Sequence, residues 1–189
     1  MPAPLSRTGI SVEDYLAGEE VAEVRHEYVN GAVYAMVGVT KTHNRLTKRL
    51  ARLIDDQLED RPCESFVTEV KTHILARNDE RFYYPDLLVE CEPYTDDERF
   101  CDHPVLVIEI LSQSTERYDR SDKFYGYRKI PSLLEYVMVT PDEPRMEVYR
   151  RDRGWDLEVY GAGENLRLEA IDAELAVGDV YAGILSTSA

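Results

Sequence analysis

Glu109 stands inside the run Val105-Leu106-Val107-Ile108-Glu109-Ile110-Leu111, which otherwise reads as the interior of a β-sheet. Burying an isolated carboxylate there costs several kcal/mol unless it is paired, hydrogen-bonded or bound to a cation. Asp86 raises the same question one strand earlier, just behind Pro85 at the mouth of Leu87-Leu88-Val89. Proline cannot donate to a ladder and belongs at a strand's first residue or edge, which puts Asp86 near a sheet end. If residues 92–103 return the chain as an antiparallel neighbour, the start of one strand lies beside the end of the next, and the two acids converge. Convergent carboxylates support two chemistries. One is a general acid and base pair, as in glycosidases, with one carboxyl kept protonated. The other is a hard-cation site whose oxygens hold Mg²⁺ (or Mn²⁺) and leave positions for water and a substrate phosphate. Taken alone, Asp86 is by default a turn acid; for Glu109 the bland reading is weaker. The combination with a following Ser-x-Ser-Thr turn and a lysine-bearing helix favours the cation site.

These acids need a scaffold. Ser11 followed by Asp14 resembles a capping box and opens a short helix over residues 12–17, ended by Gly18. Residues 26–36 form a hairpin turning at Asn30-Gly31. A helix over roughly 42–58 follows, then three strands, 64–75, 84–91 and 104–111, the last two apolar enough to be buried on both faces. A second helix spans about 116–129, stopped by Pro131, and leads into the strand 134–139. Residues 145–151 and 155–161 read as a further hairpin turning at Gly154, and a short helix near 178–185 closes the chain. This order describes an α/β (α+β) domain: one central mixed sheet flanked by helices, with an N-terminal and a C-terminal β-hairpin. Nothing divides the 189 residues, so residues 1–189 are read as a single domain with its core over 11–185.

Composition constrains the partners. With 43% hydrophobic residues the chain can build a core, and no stretch approaches a membrane span or a secretory leader, which places it in the cytoplasm. Cys63, Cys91 and Cys101 are an odd number without a zinc pattern, so reduced thiols rather than a disulfide framework are expected. The net charge of −15 opposes nucleic-acid binding. Local charge differs: Arg45, Lys48, Arg49 and Arg52 recur at helical spacing opposite Leu46, Leu50, Leu53 and Ile54. A solvated face is the commoner origin of one such stripe; a phosphate-backbone contact is the other.

Six blocks in order resemble a known family: HEYVNGAV, THNRLTKRLARLI, YYPDLLVECEP, DHPVLVIEILSQST, YDRSDKFYGYRKIPSLLEYVMV and RMEVYRR. They are similar to the PD-(D/E)XK nuclease superfamily, and within it to a bacterial family of restriction-endonuclease domains, over most of residues 11–185. The resemblance implies a restriction-endonuclease-like core and a metal-dependent phosphodiesterase, with Asp86 and Glu109 matching the motif's two acids and ligating the metal.

Two departures stand out. Leu111 occupies the motif's lysine position, and Gln113 replaces a usual proline. Lys123 offers a replacement, four residues from both Asp119 and Tyr127 and so on one helical face with them. Lys71, alternating onto one face with Glu69, is a rival that ranks below it. Glu27 matches an acid in the family's hairpin block and is a third candidate ligand, although a salt bridge to Arg25 or another base explains it equally well. His43 could meet a phosphate at the positive end of its helix, but such a residue is more often a cap or a surface side chain.

The resulting expectation is a Mg²⁺-dependent (or Mn²⁺-dependent) endonuclease acting on DNA. Asp86, Glu109, Lys123 and Glu27 would be catalytic, and Arg45, Lys48, Arg49, Arg52 and Arg120 would contact the backbone. A homodimer is expected, since cutting both strands suits two-fold symmetry and an exposed strand such as 145–151 could pair across it. The alternative is a catalytically weak or inactive nuclease-derived DNA-binding or regulatory module, favoured by Leu111 and by the acidic charge. A glycosidase-like hydrolase or interaction domain is a third reading, and it predicts no salt-dependent DNA binding.

Overall fold

The computed structural model describes residues 9–185 other than 96. Ser11 caps helix α1 (Val12–Val21), its Oγ accepting from the Asp14 amide at 3.1 Å. The helix continues past Gly18 instead of ending there. Glu19, buried on its far side, accepts the backbone N–H of His26 at 3.1 Å and ties the helix to the next strand, outweighing the roughly 1 kcal/mol that a mid-helix glycine costs. Strands β1 (His26–Val29) and β2 (Ala32–Ala35) turn through Asn30 and Gly31, both at positive φ. Helix α2 (Lys41–Leu58) starts at Thr40, whose hydroxyl accepts from the His43 amide at 3.2 Å. Leu46, Leu50, Ile54 and Leu58 form its buried stripe.

The next strands are β3 (Glu64–Val67), β4 (Lys71–Ala76), β5 (Asp79–Tyr83), β6 (Leu87–Glu90), β7 (Phe100–Cys101) and β8 (Pro104–Ile110). The strand expected over 64–75 is broken at Thr68, which takes φ 48°, and the one expected over 84–91 starts only after Pro85 and Asp86. Strands β3 and β6 pair in one sheet while β4 and β5 pair in another, so the chain crosses from sheet to sheet at residues 68–70 and again at 84–86. Pro85, lacking an N–H, suits a point where no ladder continues.

Helices α3 (Glu116–Tyr118) and α4 (Phe124–Tyr127) flank a π-helical turn, Asp119–Lys123, and together form the crossover from β8 to its parallel neighbour β9 (Glu135–Val139). Strands β10 (Arg145–Arg150) and β11 (Leu157–Gly161) follow, turning near Gly154 at φ 68°. A hairpin absent from the sequence reading, β12 (Asn165–Leu168) and β13 (Ala173–Ala176), precedes α5 (Val177–Tyr181).

The result is an α+β fold with mixed sheets and flanking helices, but the single sheet expected becomes two large sheets beside the separate β12–β13 ribbon. One has the order β11-β10-β9-β8-β6-β3, the other β2-β1-β5-β4-β7. Strands β6, β8 and β9 are covered on both faces, as their unbroken apolar runs required. Leu106, Ile108 and Ile110 pack in the cluster that holds the buried stripe of α2; Val107 and Leu111 pack with Tyr118, Phe124 and Tyr127 from the crossover. Among the described residues no helix is long and apolar enough to cross a membrane.

Two expectations are corrected. Cys63 and Cys91 are disulfide-bonded and only Cys101 is free. Glu64 and Glu90 are register partners in the β3–β6 ladder, so the residues one step beyond them face each other, a pairing that sequence spacing does not reveal. Residues 145–151 are not an exposed edge either. β10 lies between β9 and β11, and β11 is the edge strand, with Leu157 and Val159 exposed.

Candidate active site

Strand alternation fixes where Glu109 points. Its neighbours Ile108 and Ile110 face the α2 side, so Glu109 faces the crossover helices, where Lys123 Nζ donates to its Oε1 at 3.0 Å and Tyr127 OH donates to the same oxygen at 3.0 Å. The π-turn, which inserts an extra residue into the helical ladder, places Lys123 between Asp119 and Glu109, and Tyr127 reaches the same glutamate. Such turns are rare and frequently occur at functional sites.

Lys123 also lies 2.8 Å from Glu27 Oε1 and 3.9 Å from Asp119 Oδ1. Glu27 belongs to the five-stranded sheet and Glu109 to the six-stranded one, so the lysine joins the two sheets. Glu27 pairs with Lys123, whereas Arg25 pairs with Glu69.

Asp86 sits at the corner between the sheets. Leu87 is opposite Ile108 in the antiparallel β6–β8 ladder, and one step further on the Ile110 amide donates to Asp86 Oδ2 at 2.7 Å. The other oxygen, Oδ1, is 2.7 Å from His43 Nε2. Cap and surface residue do not describe His43, because its ring is buried against Asp86. The signal was available in the sequence: His43 precedes Leu46, Leu50 and Ile54 at spacings of three, seven and eleven, on the apolar side of α2 rather than its basic side.

These residues line a cavity of about 630 Å³, walled by Met36–Thr40, Ser112–Thr115 and Pro141-Asp142. Its floor is charged and dry. Glu109 is 4% exposed, Asp119 2% and Lys123 6%. Burial pushes the Glu109 carboxyl well above the usual carboxylate range and raises Asp119, with Lys123 opposing both. For Lys123 burial works to lower the pKa, but Glu109, Glu27 and Asp119 outweigh it and hold the ammonium charged. Four acids, Glu27, Asp86, Glu109 and Asp119, thus line one cavity with one ammonium, which pairs with three of them. That surplus of negative charge and hard oxygen donors is the chemistry a divalent cation neutralises. No three His, Cys, Asp or Glu converge in a ligating arrangement among the described residues. The donor set fits Mg²⁺, which is commonly held by one or two carboxylates and keeps several waters, rather than zinc.

The rival lysine, Lys71, is buried elsewhere, donating to Tyr84 OH at 3.2 Å in a neighbouring cavity. Leu111, at the motif's lysine position, is 3% exposed in the aromatic cluster. None of the five cations expected to contact DNA lines the acid cavity. Arg49 donates to the carbonyls of Asp179 at 2.6 Å and Ala182 at 3.0 Å, and Arg45 to those of Gly183 and Ile184, so both fasten α2 to the C-terminal helix. Arg120 forks onto Glu147 and also binds Glu116. Lys48 and Arg52 remain exposed.

Known proteins carry related chains. A Synechocystis sequence named "Uncharacterized protein slr1290" is 35% identical over 178 residues, covering 93% of this chain and 93% of its own. A second, "Uncharacterized protein sll1609", is 34% identical over 165 residues, covering 85% and 92%. A crystal structure of a protein from Anabaena variabilis, described as "a putative nuclease belonging to DUF820", superposes with a TM-score of 0.75 at 17% identity, over 93% of this chain and 99% of that one, which shows a shared fold. The Uma2 family model, described as "Putative restriction endonuclease", matches residues 12–178, and the chain therefore belongs to that restriction-endonuclease family.

Proposed function

We propose that the chain is a metal-dependent endonuclease hydrolysing phosphodiester bonds of DNA through a PD-(D/E)XK-type site whose lysine has moved to Lys123. One observation carries this reading: Lys123 Nζ reaches Glu27 and Glu109 at 2.8 and 3.0 Å from the crossover helix, on the floor of the cavity that Asp86 also lines. Family membership supports nuclease chemistry.

Asp86 and Glu109 would hold Mg²⁺ or Mn²⁺, which when bound supplies acidity to a coordinated water and neutralises charge developing on the phosphoryl oxygens. The chain's own residues do the rest. His43 and the Ile110 amide take one oxygen of Asp86 each, which fixes the carboxylate plane. Lys123 and Tyr127 both donate to Oε1 of Glu109, which fixes the orientation of that carboxyl. Lys123, kept charged by its acids, provides a fixed positive group for a phosphoryl oxygen in the transition state. Glu109, Asp119 and Lys123 are themselves almost wholly buried, which strengthens the electrostatic interactions among them.

The test is nicking of supercoiled plasmid in Mg²⁺ or Mn²⁺ by the parent chain, Asp86→Asn and Lys123→Ala. The expected result is cleavage by the parent only. Equal nicking by all three identifies a contaminant and sinks the assignment. Saturable, salt-dependent DNA binding without cleavage by any of them would instead establish the inactive binding module.

A further inference from the structure

We propose that the cavity takes one unpaired nucleotide of a single strand, rather than the side of an intact duplex; the inference rests on the nuclease reading above. Depth is the first argument. Glu109, Asp119 and Lys123 are almost wholly buried, and His43 and Glu27 are 7% exposed each, so the reacting phosphate must descend into a chamber of about 630 Å³. That is the size of a pocket for one small ligand. A duplex phosphate descends so far only if the helix is bent or a nucleotide is extruded, which costs a few kcal/mol when the base is paired and least when it is already single-stranded.

The rim is the second argument. Between β2 and α2 the segment Met36-Val37-Gly38-Val39 forms one lip of the cavity, and Val37 and Val39 are 56% and 55% exposed. Apolar side chains left in water beside a charged floor suit the face of a nucleobase whose phosphate points inward. Tyr34, partly exposed, lines the same chamber beside this lip. Contacts of this kind accept any base and need it unstacked.

Charge is the third. Duplex affinity comes largely from many phosphate contacts along a basic surface. Here Arg45, Arg49 and Arg120 are spent on the chain's own carbonyls and carboxylates, and among the described residues Lys123 is the sole Lys or Arg lining the cavity, against Glu27, Asp86, Glu109, Asp119 and Asp142. One phosphate can be seated on such a floor with a cation, whereas the described lining offers a long backbone no second Lys or Arg.

The experiment compares a labelled DNA strand, alone and annealed to its complement, incubated with the full chain and Mn²⁺, with Asp86→Asn as background. The expected result is single-strand cleavage at least about tenfold faster than duplex cleavage. A Val37→Ser/Val39→Ser chain, altered only at exposed positions, should raise KM for the single strand several-fold at unchanged kcat. Asp86-dependent cleavage of the duplex at an equal or greater rate overturns the single-strand inference and leaves the nuclease reading standing. If neither form is cleaved, the nuclease reading fails, and fluorescence anisotropy decides the pocket. Single-strand binding weakened by the two serines sustains it; equal or absent binding of both forms overturns it.

Discussion

His43 Nε2 lies 2.7 Å from Asp86 Oδ1, while Asp86 Oδ2 accepts the Ile110 amide, so neither oxygen of this acid is left to orient itself. A carboxylate held from both sides offers a ligand in one orientation, and partners of this kind are worth about 10–100-fold in metal affinity or activity. His43→Ala should therefore lower Mn²⁺ affinity, read by calorimetry, and plasmid nicking by about tenfold or more, and should cost about 1–3 kcal/mol of stability through the buried hydrogen bond it removes. His43→Gln, which keeps a hydrogen-bonding group near Asp86, should recover part of the loss. An alanine chain with unaltered Mn²⁺ affinity would remove His43 from any positioning role.

The lysine and its acids are not equivalent in stability. Deleting Lys123 leaves Glu27, Glu109 and Asp119 crowded and uncompensated in a dry pocket, so Lys123→Met should cost about 3–5 kcal/mol. Glu109→Gln removes an acid that burial already disfavours, and Lys123 keeps Glu27 and Asp119. Its stability should stay within about 1 kcal/mol of the parent while nicking is lost. Urea unfolding of the two variants side by side checks the asymmetry, and equal destabilisation would contradict the described division of charge.

Much of the geometry around the candidate site was legible in the sequence, and the exceptions have physical causes. Pro85-Asp86 and Glu109 were visible because an acid in an apolar run demands a partner, and antiparallel β6 and β8 do bring Asp86 beside the Ile110 amide. Lys123 was visible through its four-residue spacing from Asp119 and Tyr127. The two-sheet corner was not, since Thr68 carries no turn signature and takes positive φ only because β4 must leave the sheet that holds β3. Cys63–Cys91 depends on cross-strand register, which no local pattern encodes. The basic stripe of α2 is present, but the partners of Arg45 and Arg49, carbonyls in and just after α5, lie 130 or more residues downstream.

Acid sensitivity should trace in part to Asp79, far from the cavity. Burial works to raise its pKa, but hydrogen bonds from Arg81, Lys129 and Asn30 outweigh this and hold it at about 2, against 3.8 for a free carboxyl. A depressed folded value means stability present above pH 3.8 and lost as pH falls towards 2. Asp79→Asn should be less stable than the parent at neutral pH by on the order of 1–2 kcal/mol, and its stability should change less between pH 4 and 2. Parallel stability curves for the two chains across that range would show that Asp79 contributes nothing to acid unfolding.

Restoring the motif at its expected position should fail. Leu111 is 3% exposed and packs with Tyr118, Phe124 and Tyr127, its amide donating to Val139 O at 2.9 Å. Leu111→Lys would place a second ammonium beside that aromatic cluster, on the crossover side of the strand that Lys123 already serves, and must either bury the charge among the rings or give up the leucine's packing to reach into the acid cavity that Leu111 also lines. The cost should be at least about 3 kcal/mol in urea unfolding, with no gain in nicking. The combination Leu111→Lys with Lys123→Met asks the sharper question. If the acids accept a lysine only from the π-turn, the double variant stays inactive; if it regains cleavage with parental metal dependence, the lysine's origin is interchangeable and the π-turn is a packing device rather than part of the chemistry.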